Sequence, residues 1–243
     1  MPVNDSAEPQ DGVPGWYGKI ASLGDFASRR LPTDFVTRLD DWLQRIIAGS
    51  RAELGDQWMD VYLTSPVWRF VLFPEAFDED AWAGLLMPSC DKVGRYFPLC
   101  IAALVPHGEP DSRLIRTLDE WQERLESIAL RTLDTSASME EFDDTLARAK
   151  LDPSPESAAM KPVVKGVIEA LRSGNPALLG ASELSAMGEA MAFAGTTLFN
   201  EMARGATVWW TAARPDRRMH VLVSRGLPDV AQYVAMLRGG LGS

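Results

Sequence analysis

The sequence predicts a mixed α/β (α+β) protein in which a largely antiparallel central sheet of about six strands is covered by helices. In the stretch 81–105, two apolar runs flank a charged turn bounded by Pro88 and Pro98. This turn is too short for a helical crossover, so the runs should pair as antiparallel strands. Their nearly unbroken hydrophobicity indicates that both faces of the sheet are covered. Further along the chain, apolar residues recur at helical spacing and supply the covering helices.

Length and composition predict one sizeable core, or a larger domain with a smaller appendage, that needs neither metals nor disulfides. The chain has 243 residues, of which 46% are hydrophobic, and this is enough for a stable single domain. We interpret residues 1–13 as a disordered lead-in without the features of a signal peptide. Residues 14–243 should then form one domain, with a sheet-forming part over 15–105, a helical part over 111–204 and a closing hairpin and helix over 206–238.

Charge and cysteine content exclude several classes of function. The formal net charge is −10, which argues against binding to nucleic acid or to an anionic membrane. No apolar run approaches the roughly 20 residues that cross a bilayer, so we expect no membrane insertion. Cys90 and Cys100 are the two cysteines, and this low content fits a reducing compartment. We therefore expect a cytoplasmic protein.

The N-terminal part begins with a strand and a long helix. Aromatic residues bounded by glycine over 15–20 predict the strand, and a turn follows over 22–26. Thr33, next to Pro32, is the expected N-cap of the helix. One face of this helix is apolar and should lie on the sheet. The residues on that face are Phe35, Leu39, Trp42, Leu43, Ile46 and Ile47.

Three consecutive strands should form a meander after this helix. A short helical segment over 58–62 ends before Pro66, because the residue before a proline is unfavourable in a helix. The strands are expected over 67–73, 82–87 and 99–105, with connections that permit only antiparallel return.

The middle of the chain is predicted to be helical. Apolar spacing indicates a long amphipathic helix over 114–128. Ser138, followed by Glu141, forms a capping-box signature at the start of a second helix. A third helix is expected over 162–173 and further helix over 176–204.

The C-terminal part should close the sheet. β-branched and aromatic runs over 207–211 and 219–224 predict a hairpin. A turn over 225–228 then leads to a closing helix over 230–237, and Gly239 follows its end.

Charged residues on two loops are the main candidate binding site. They lie beside aromatic residues, in a composition that suits a polar-rimmed protein interface. The alternative is that they pair with one another and only fix the loops. The candidates are Asp25, Arg29 and Arg30 in the first loop and Asp91, Lys92 and Arg95 in the central turn.

Trp209 is a further candidate partner-binding residue. Because side chains alternate along a strand, either Trp209 or Trp210 would face solvent if the sheet were covered on one side only. An exposed tryptophan would be a binding anchor. A sheet covered on both sides would place both tryptophans in the core.

Catalytic and cofactor motifs are missing from the sequence, which predicts no catalytic residues and no cofactor. An alternative is a hydrolase-like enzyme that uses a carboxylate pair or Cys90, whose pKa Lys92 and Arg95 could lower. A buried structural thiol is the other interpretation of Cys90.

No metal-binding spacing occurs either, so we expect no metal. A zinc site built from residues distant in sequence is the alternative to ordinary thiols and histidines. Its ligands would be Cys90, Cys100, His107 and His220.

An ordered set of motifs resembles the TagF proteins associated with bacterial type VI secretion. The likeness is dense over 15–105 and continues at 209–211 and 224–228. The motifs are Trp16-Tyr17-Gly18-Lys19, Gly24-Asp25-Phe26, Arg30-Leu31-Pro32, Asp41-Trp42-Leu43, Ser65-Pro66-Val67-Trp68-Arg69-Phe70, Met87-Pro88-Ser89 and Asp91-Lys92-Val93-Gly94-Arg95-Tyr96-Phe97-Pro98.

This resemblance implies a function in regulation. A TagF-like protein is expected to be a cytoplasmic, non-enzymatic repressor that acts after translation. Its expected partner is the forkhead-associated scaffold protein of the type VI secretion apparatus. The resemblance supplies no catalytic residues.

Overall fold

An eight-stranded sheet with helices on both faces forms the framework of the protein. The computed structural model describes residues 3–5, 10–106, 112–152, 161–173, 187–212 and 218–239. The strands are β1 (Val3–Asp5), β2 (Gly15–Gly18), β3 (Ala27–Arg29), β4 (Trp68–Leu72), β5 (Trp82–Met87), β6 (Leu99–Leu104), β7 (Ala206–Trp210) and β8 (Val221–Arg225). The helices are α1 (Thr33–Leu54), α2 (Trp58–Thr64), α3 (Ser112–Arg131), α4 (Met139–Arg148), α5 (Lys161–Ser173), α6 (Met187–Ala203) and α7 (Val230–Leu237).

The strands lie in the order β1-β3-β2-β6-β5-β4-β7-β8. Neighbouring strands are antiparallel, except that β1 runs parallel to β3. The predicted meander is confirmed: β5 pairs with β4 on one side and with β6 on the other. The mixed α/β fold and the closing hairpin of β7 and β8 are also confirmed.

Two short strands at the N-terminal edge were not predicted. β3 follows the turn that the sequence indicates over 22–26, and it pairs with β2. The lead-in expected to be disordered over 1–13 contains β1, and the main-chain N–H of Gly12 donates to Leu104 O at 3.0 Å. A strand of three residues is too short to show the alternation that identifies strands in a sequence.

Side-chain alternation divides the core into two layers. In β4, Trp68, Phe70 and Leu72 face α1, α2 and α7, whereas Val71 faces α3 and α4 on the other side. The expectation that helices cover both faces is therefore correct. This arrangement explains why the central strands are apolar at successive positions rather than at alternate ones.

The helix boundaries follow the sequence signals with small differences. The N-cap of α1 is Pro32, whose side chain makes no capping hydrogen bond, and Thr33 is the first helical residue. The N-cap of α4 is Ser138 as predicted, because its Oγ accepts from the Glu141 N–H at 3.3 Å. α6 covers the later part of the helix predicted over 176–204, and residues 174–186 lie outside the described residues.

No helix within the described ranges combines the length and the apolar character that a membrane crossing requires.

Candidate functional site

The turn between β5 and β6 is built around a buried carboxylate, Asp91, which is 2% exposed. Asp91 Oδ2 accepts from Lys19 Nζ at 2.8 Å and from Arg95 Nε at 2.6 Å. Asp91 Oδ1 accepts from the main-chain N–H groups of Val93 at 3.0 Å and Arg95 at 2.9 Å. Burial raises the pKa of Asp91, but the hydrogen bonds from Lys19 and Arg95 outweigh it and hold that pKa below its usual value.

A second set of hydrogen bonds fixes the start of this turn. Ser89 Oγ donates to Lys19 O at 2.7 Å. The Tyr62 hydroxyl donates to Ser89 O and accepts from the Ser89 N–H, each at 3.0 Å. Burial raises the pKa of Tyr62 well above its usual value, so its hydroxyl remains a donor. Helix α2, which carries Tyr62, therefore holds the turn against the sheet.

The turn is also joined to the loop that follows β2. Arg95 Nη2 donates to Gly24 O at 2.6 Å, and the Lys92 N–H donates to Leu23 O at 2.8 Å. The Phe26 ring packs edge-on against Phe97 at a centroid distance of 4.7 Å. Polar and aromatic contacts thus make one unit of two loops that are distant in sequence.

The exposed surface of this unit is the ionic tip, which we define as residues 24–25 and 92–95. Val93 is 69% exposed and the Arg95 side chain is 56% exposed. Lys92 and Asp25 are also exposed. Of the predicted ionic residues, Asp25, Lys92 and Arg95 share this surface, whereas Asp91 lies beneath it as the support.

Comparison with known proteins places the chain in a family. The model of the TagF N-terminal domain, described as type VI secretion system-associated, matches residues 15–149. The chain belongs to the TagF family. The crystal structure of PA0076 from Pseudomonas aeruginosa PAO1 is similar to this TagF protein, with 33% sequence identity and a TM-score of 0.72. The alignment covers 95% of this chain and 96% of PA0076. No curated protein sequence matches the chain.

The family match confirms the resemblance that the motifs indicate. It covers the whole ionic tip and its supporting residues, together with α1, α3 and α4. The TagF protein is therefore associated with the type VI secretion system.

Arg29 and Arg30 do not belong to the ionic tip of the TagF protein. Arg30 has a left-handed backbone conformation, with φ of 57°, and its Nη1 donates to Asp143 Oδ2 at 2.7 Å. Trp16 Nε1 donates to the other oxygen of Asp143 at 2.7 Å. Burial raises the pKa of Asp143, but the hydrogen bonds from Arg30 and Trp16 lower it to below its usual value. These contacts attach α4 to the sheet.

Trp209 lies in the core, so its proposed role as an exposed anchor is wrong. It is 2% exposed and packs against Trp42 and Phe70, at centroid distances of 5.8 and 4.9 Å. Its Nε1 donates to Thr207 Oγ1 at 2.9 Å. Trp210 faces the opposite layer and packs against the core beside α3. Trp209 is buried and Trp210 is half-buried, because helices lie on both faces of the sheet.

Of the candidate residues for catalysis and metal binding, the structure describes Cys90, Cys100 and His220. Cys90 is half-buried and forms an isolated bridge with Tyr96 through the main chain. Cys100 is buried, and burial raises the pKa of its thiol. His107 lies outside the described residues. Within the described ranges, no group of three or more histidine, cysteine, aspartate or glutamate residues is placed to hold a metal ion.

Lys19, Ser89 and Tyr62 support the site but were not identified from the sequence. A signal for Lys19 was present, since it follows the glycine-bounded aromatic strand β2. A lysine at a buried position requires an anionic partner. The sequence alone does not choose between Asp91 and the other carboxylates as this partner, because the contact depends on tertiary structure.

Proposed function

We propose that this TagF protein represses type VI secretion after translation by binding a cytoplasmic component of the apparatus. The proposed partner is the forkhead-associated scaffold protein, and the proposed action is binding without catalysis. Membership of a family associated with type VI secretion supports a role in that system. The resemblance of the motifs to TagF repressors supports the choice of partner.

The ionic tip is the observation that carries this proposal. Val93 is 69% exposed and lies between the exposed cations Lys92 and Arg95. An apolar residue with a charged rim is typical of the centre of a protein interface. Because Asp91 already holds the turn in place, little conformational entropy would be lost on binding.

Lys92 and Val93 give the sharpest test. The Lys92 side chain forms no ion pair with a described residue, and its contact with Leu23 is made by the main chain. We expect Lys92→Glu and Val93→Asp each to weaken binding of the purified scaffold by about tenfold or more. Arg148→Glu, at an exposed cation on α4, is the control and should leave binding unchanged.

The measurement is fluorescence anisotropy with the scaffold in unphosphorylated and threonine-phosphorylated forms. Failure to bind in both forms would reject the proposed partner. Binding that neither Lys92→Glu nor Val93→Asp changes would reject the ionic tip while leaving the partner in place.

A hydrolase that uses Cys90 is the competing function, and thiol labelling distinguishes the two. A catalytic thiolate would react quickly at neutral pH. The buried thiol of Cys100 is an internal reference that should react only after unfolding. If Cys90 also reacts only in denaturant, the nucleophile is rejected.

A further inference from the structure

Strand β8 forms one edge of the sheet. Among the described residues it pairs with β7 alone, so no strand lies along its outer side. Soluble proteins usually protect such edges with charged side chains, proline or a covering element. The exposed fractions are instead 52% for Val221, 64% for Val223 and 55% for Met219 just before the strand. This edge therefore combines exposed apolar side chains with main-chain groups that pair with no further strand of the described residues.

The same edge is basic in a protein of net charge −10. Residues 218–225 include Arg218, His220 and Arg225 and contain no acidic residue. The Arg225 guanidinium donates to main-chain carbonyls, with Nη1 2.6 Å from Arg204 O. These carbonyl contacts leave its positive charge without a carboxylate partner in the described part of the chain.

A cavity of about 690 Å³ adjoins the start of β8. Arg218, His220 and Arg238 line it, and neither arginine forms an ion pair within the described ranges. Glu126 is the carboxylate among the described lining residues, and it is paired with buried Arg69 at 3.1 Å. The cavity thus has a cationic rim, and its volume is typical of a ligand-binding site.

We propose that β8 binds an extended acidic peptide of a partner protein. The peptide would add to the sheet as a further strand and place an acidic side chain in the cavity beside Arg218 and Arg238. Main-chain hydrogen bonds supply much of the affinity in this mode, and alternate side chains supply the specificity. Val221 and Val223 would contact apolar residues at alternate positions of the peptide.

A second copy of the chain fits this edge less well. Antiparallel pairing of two β8 strands would bring together two identical segments that each carry Arg218 and Arg225 and no acidic residue. No carboxylate of this edge would then offset the repulsion between the arginines of the two copies. This surface is also separate from the ionic tip, which follows β5, so each proposal can fail without the other.

The first experiment compares two blocked decapeptides, one alternating valine with glutamate and one alternating valine with lysine. Binding to the full chain is followed by fluorescence anisotropy. We expect the glutamate peptide to bind at least about tenfold more tightly at low salt, with a difference that declines as ionic strength rises. Equal affinities would overturn the proposal.

The second experiment locates the bound peptide with matched variants. Val223→Glu and Arg218→Glu should each weaken binding of the glutamate peptide by about tenfold or more. The controls are Ile115→Glu, at an apolar position of α3 that is 44% exposed, and Arg148→Glu on α4. Controls that weaken binding as much as Val223→Glu would overturn the proposal.

Amide hydrogen exchange tests strand addition itself. The glutamate peptide should slow exchange within 221–225, because outward-facing N–H groups of β8 become hydrogen-bonded. Unchanged exchange there would overturn the proposal. A concentration-dependent dimer of the free chain that Val223→Glu dissociates would also overturn it, in favour of a second copy.

Discussion

Lys19 Nζ lies 2.8 Å from Asp91 Oδ2, and both side chains are buried. Lys19 follows β2 and Asp91 follows β5, with β6 between these strands in the sheet. Because Asp91 also accepts two hydrogen bonds from the turn around Val93, this pair connects the ionic tip to the sheet. Removing either charge should therefore affect both the stability and the shape of the tip.

Asp91→Asn should lower the free energy of unfolding by about 3–5 kcal/mol, because the buried Lys19 ammonium loses its countercharge. Urea denaturation of both proteins at neutral pH measures this difference. Asp25→Asn, at an exposed carboxylate, is the control and should change the free energy by no more than about 0.5 kcal/mol. Equal effects of the two substitutions would contradict a special role for the buried pair.

The effect of Asp91 on stability should depend on pH. The pKa of Asp91 is lowered in the folded protein, so its ionised form contributes stability fully above the unfolded pKa of about 3.9. That contribution is lost as the pH falls through the folded pKa. The difference in unfolding free energy between the wild type and Asp91→Asn should thus be constant from about pH 5 to 8 and shrink below about pH 4. Denaturation across this range checks the sign, and a difference that grows at acid pH would contradict it.

Gly84 should be intolerant of any side chain. It lies in β5 between two neighbouring strands, and a Cβ atom there would be 2.0 Å from Ile101 O and 2.8 Å from Phe70 Cζ. Gly84→Ala should reduce the free energy of unfolding by about 3 kcal/mol or more, since the sheet backbone must move. A Cβ at Gly24 would meet no heavy atom within 4 Å. Gly24→Ala should therefore leave stability unchanged or raise it by up to about 1 kcal/mol, and similar losses for both variants would refute the steric argument.

The strands and helices that were predicted correctly are marked by residues within or next to the element itself. β5 and β6 are continuous apolar runs beside prolines, and the N-cap of α4 is marked by Ser138. β1 and β3 are strands because each pairs with a neighbouring strand of the sheet. A strand of three residues is too short to show a periodic pattern in the sequence.

The candidate site was predictable only in part for a similar reason. The charged turn is visible in the sequence, but Lys19 and Asp91 are 72 positions apart and their contact depends on strand order. The position of Trp209 depends on whether helices cover both faces of β7, which is a property of the tertiary packing. The sequence pattern alone is therefore compatible both with Trp209 as an exposed binding anchor and with Trp209 as a core residue.

A second buried ion pair lies on the opposite face of the sheet. Arg69 in β4 donates to Glu126 Oε2 of α3 at 3.1 Å, and the side chains of the two residues are 8% and 9% exposed. Arg69 Nε is buried and has no hydrogen-bond partner among the described residues. A buried ion pair offsets its desolvation only when its polar atoms are well satisfied. The Arg69–Glu126 pair should therefore contribute less to stability than its hydrogen bond suggests.

Single and double substitutions of Arg69 and Glu126 should have opposite effects on stability. Arg69→Met alone should destabilise the fold by about 3–5 kcal/mol, because it removes the cation that pairs with the buried Glu126 carboxylate. The double variant Arg69→Met and Glu126→Leu should recover most of that loss or exceed the wild-type stability by about 1–4 kcal/mol. A double-mutant cycle in urea, with Glu126→Leu as the second single variant, measures the coupling. If the double variant is as unstable as the sum of the single variants, the two charges act independently and the ion pair is not what holds β4 against α3.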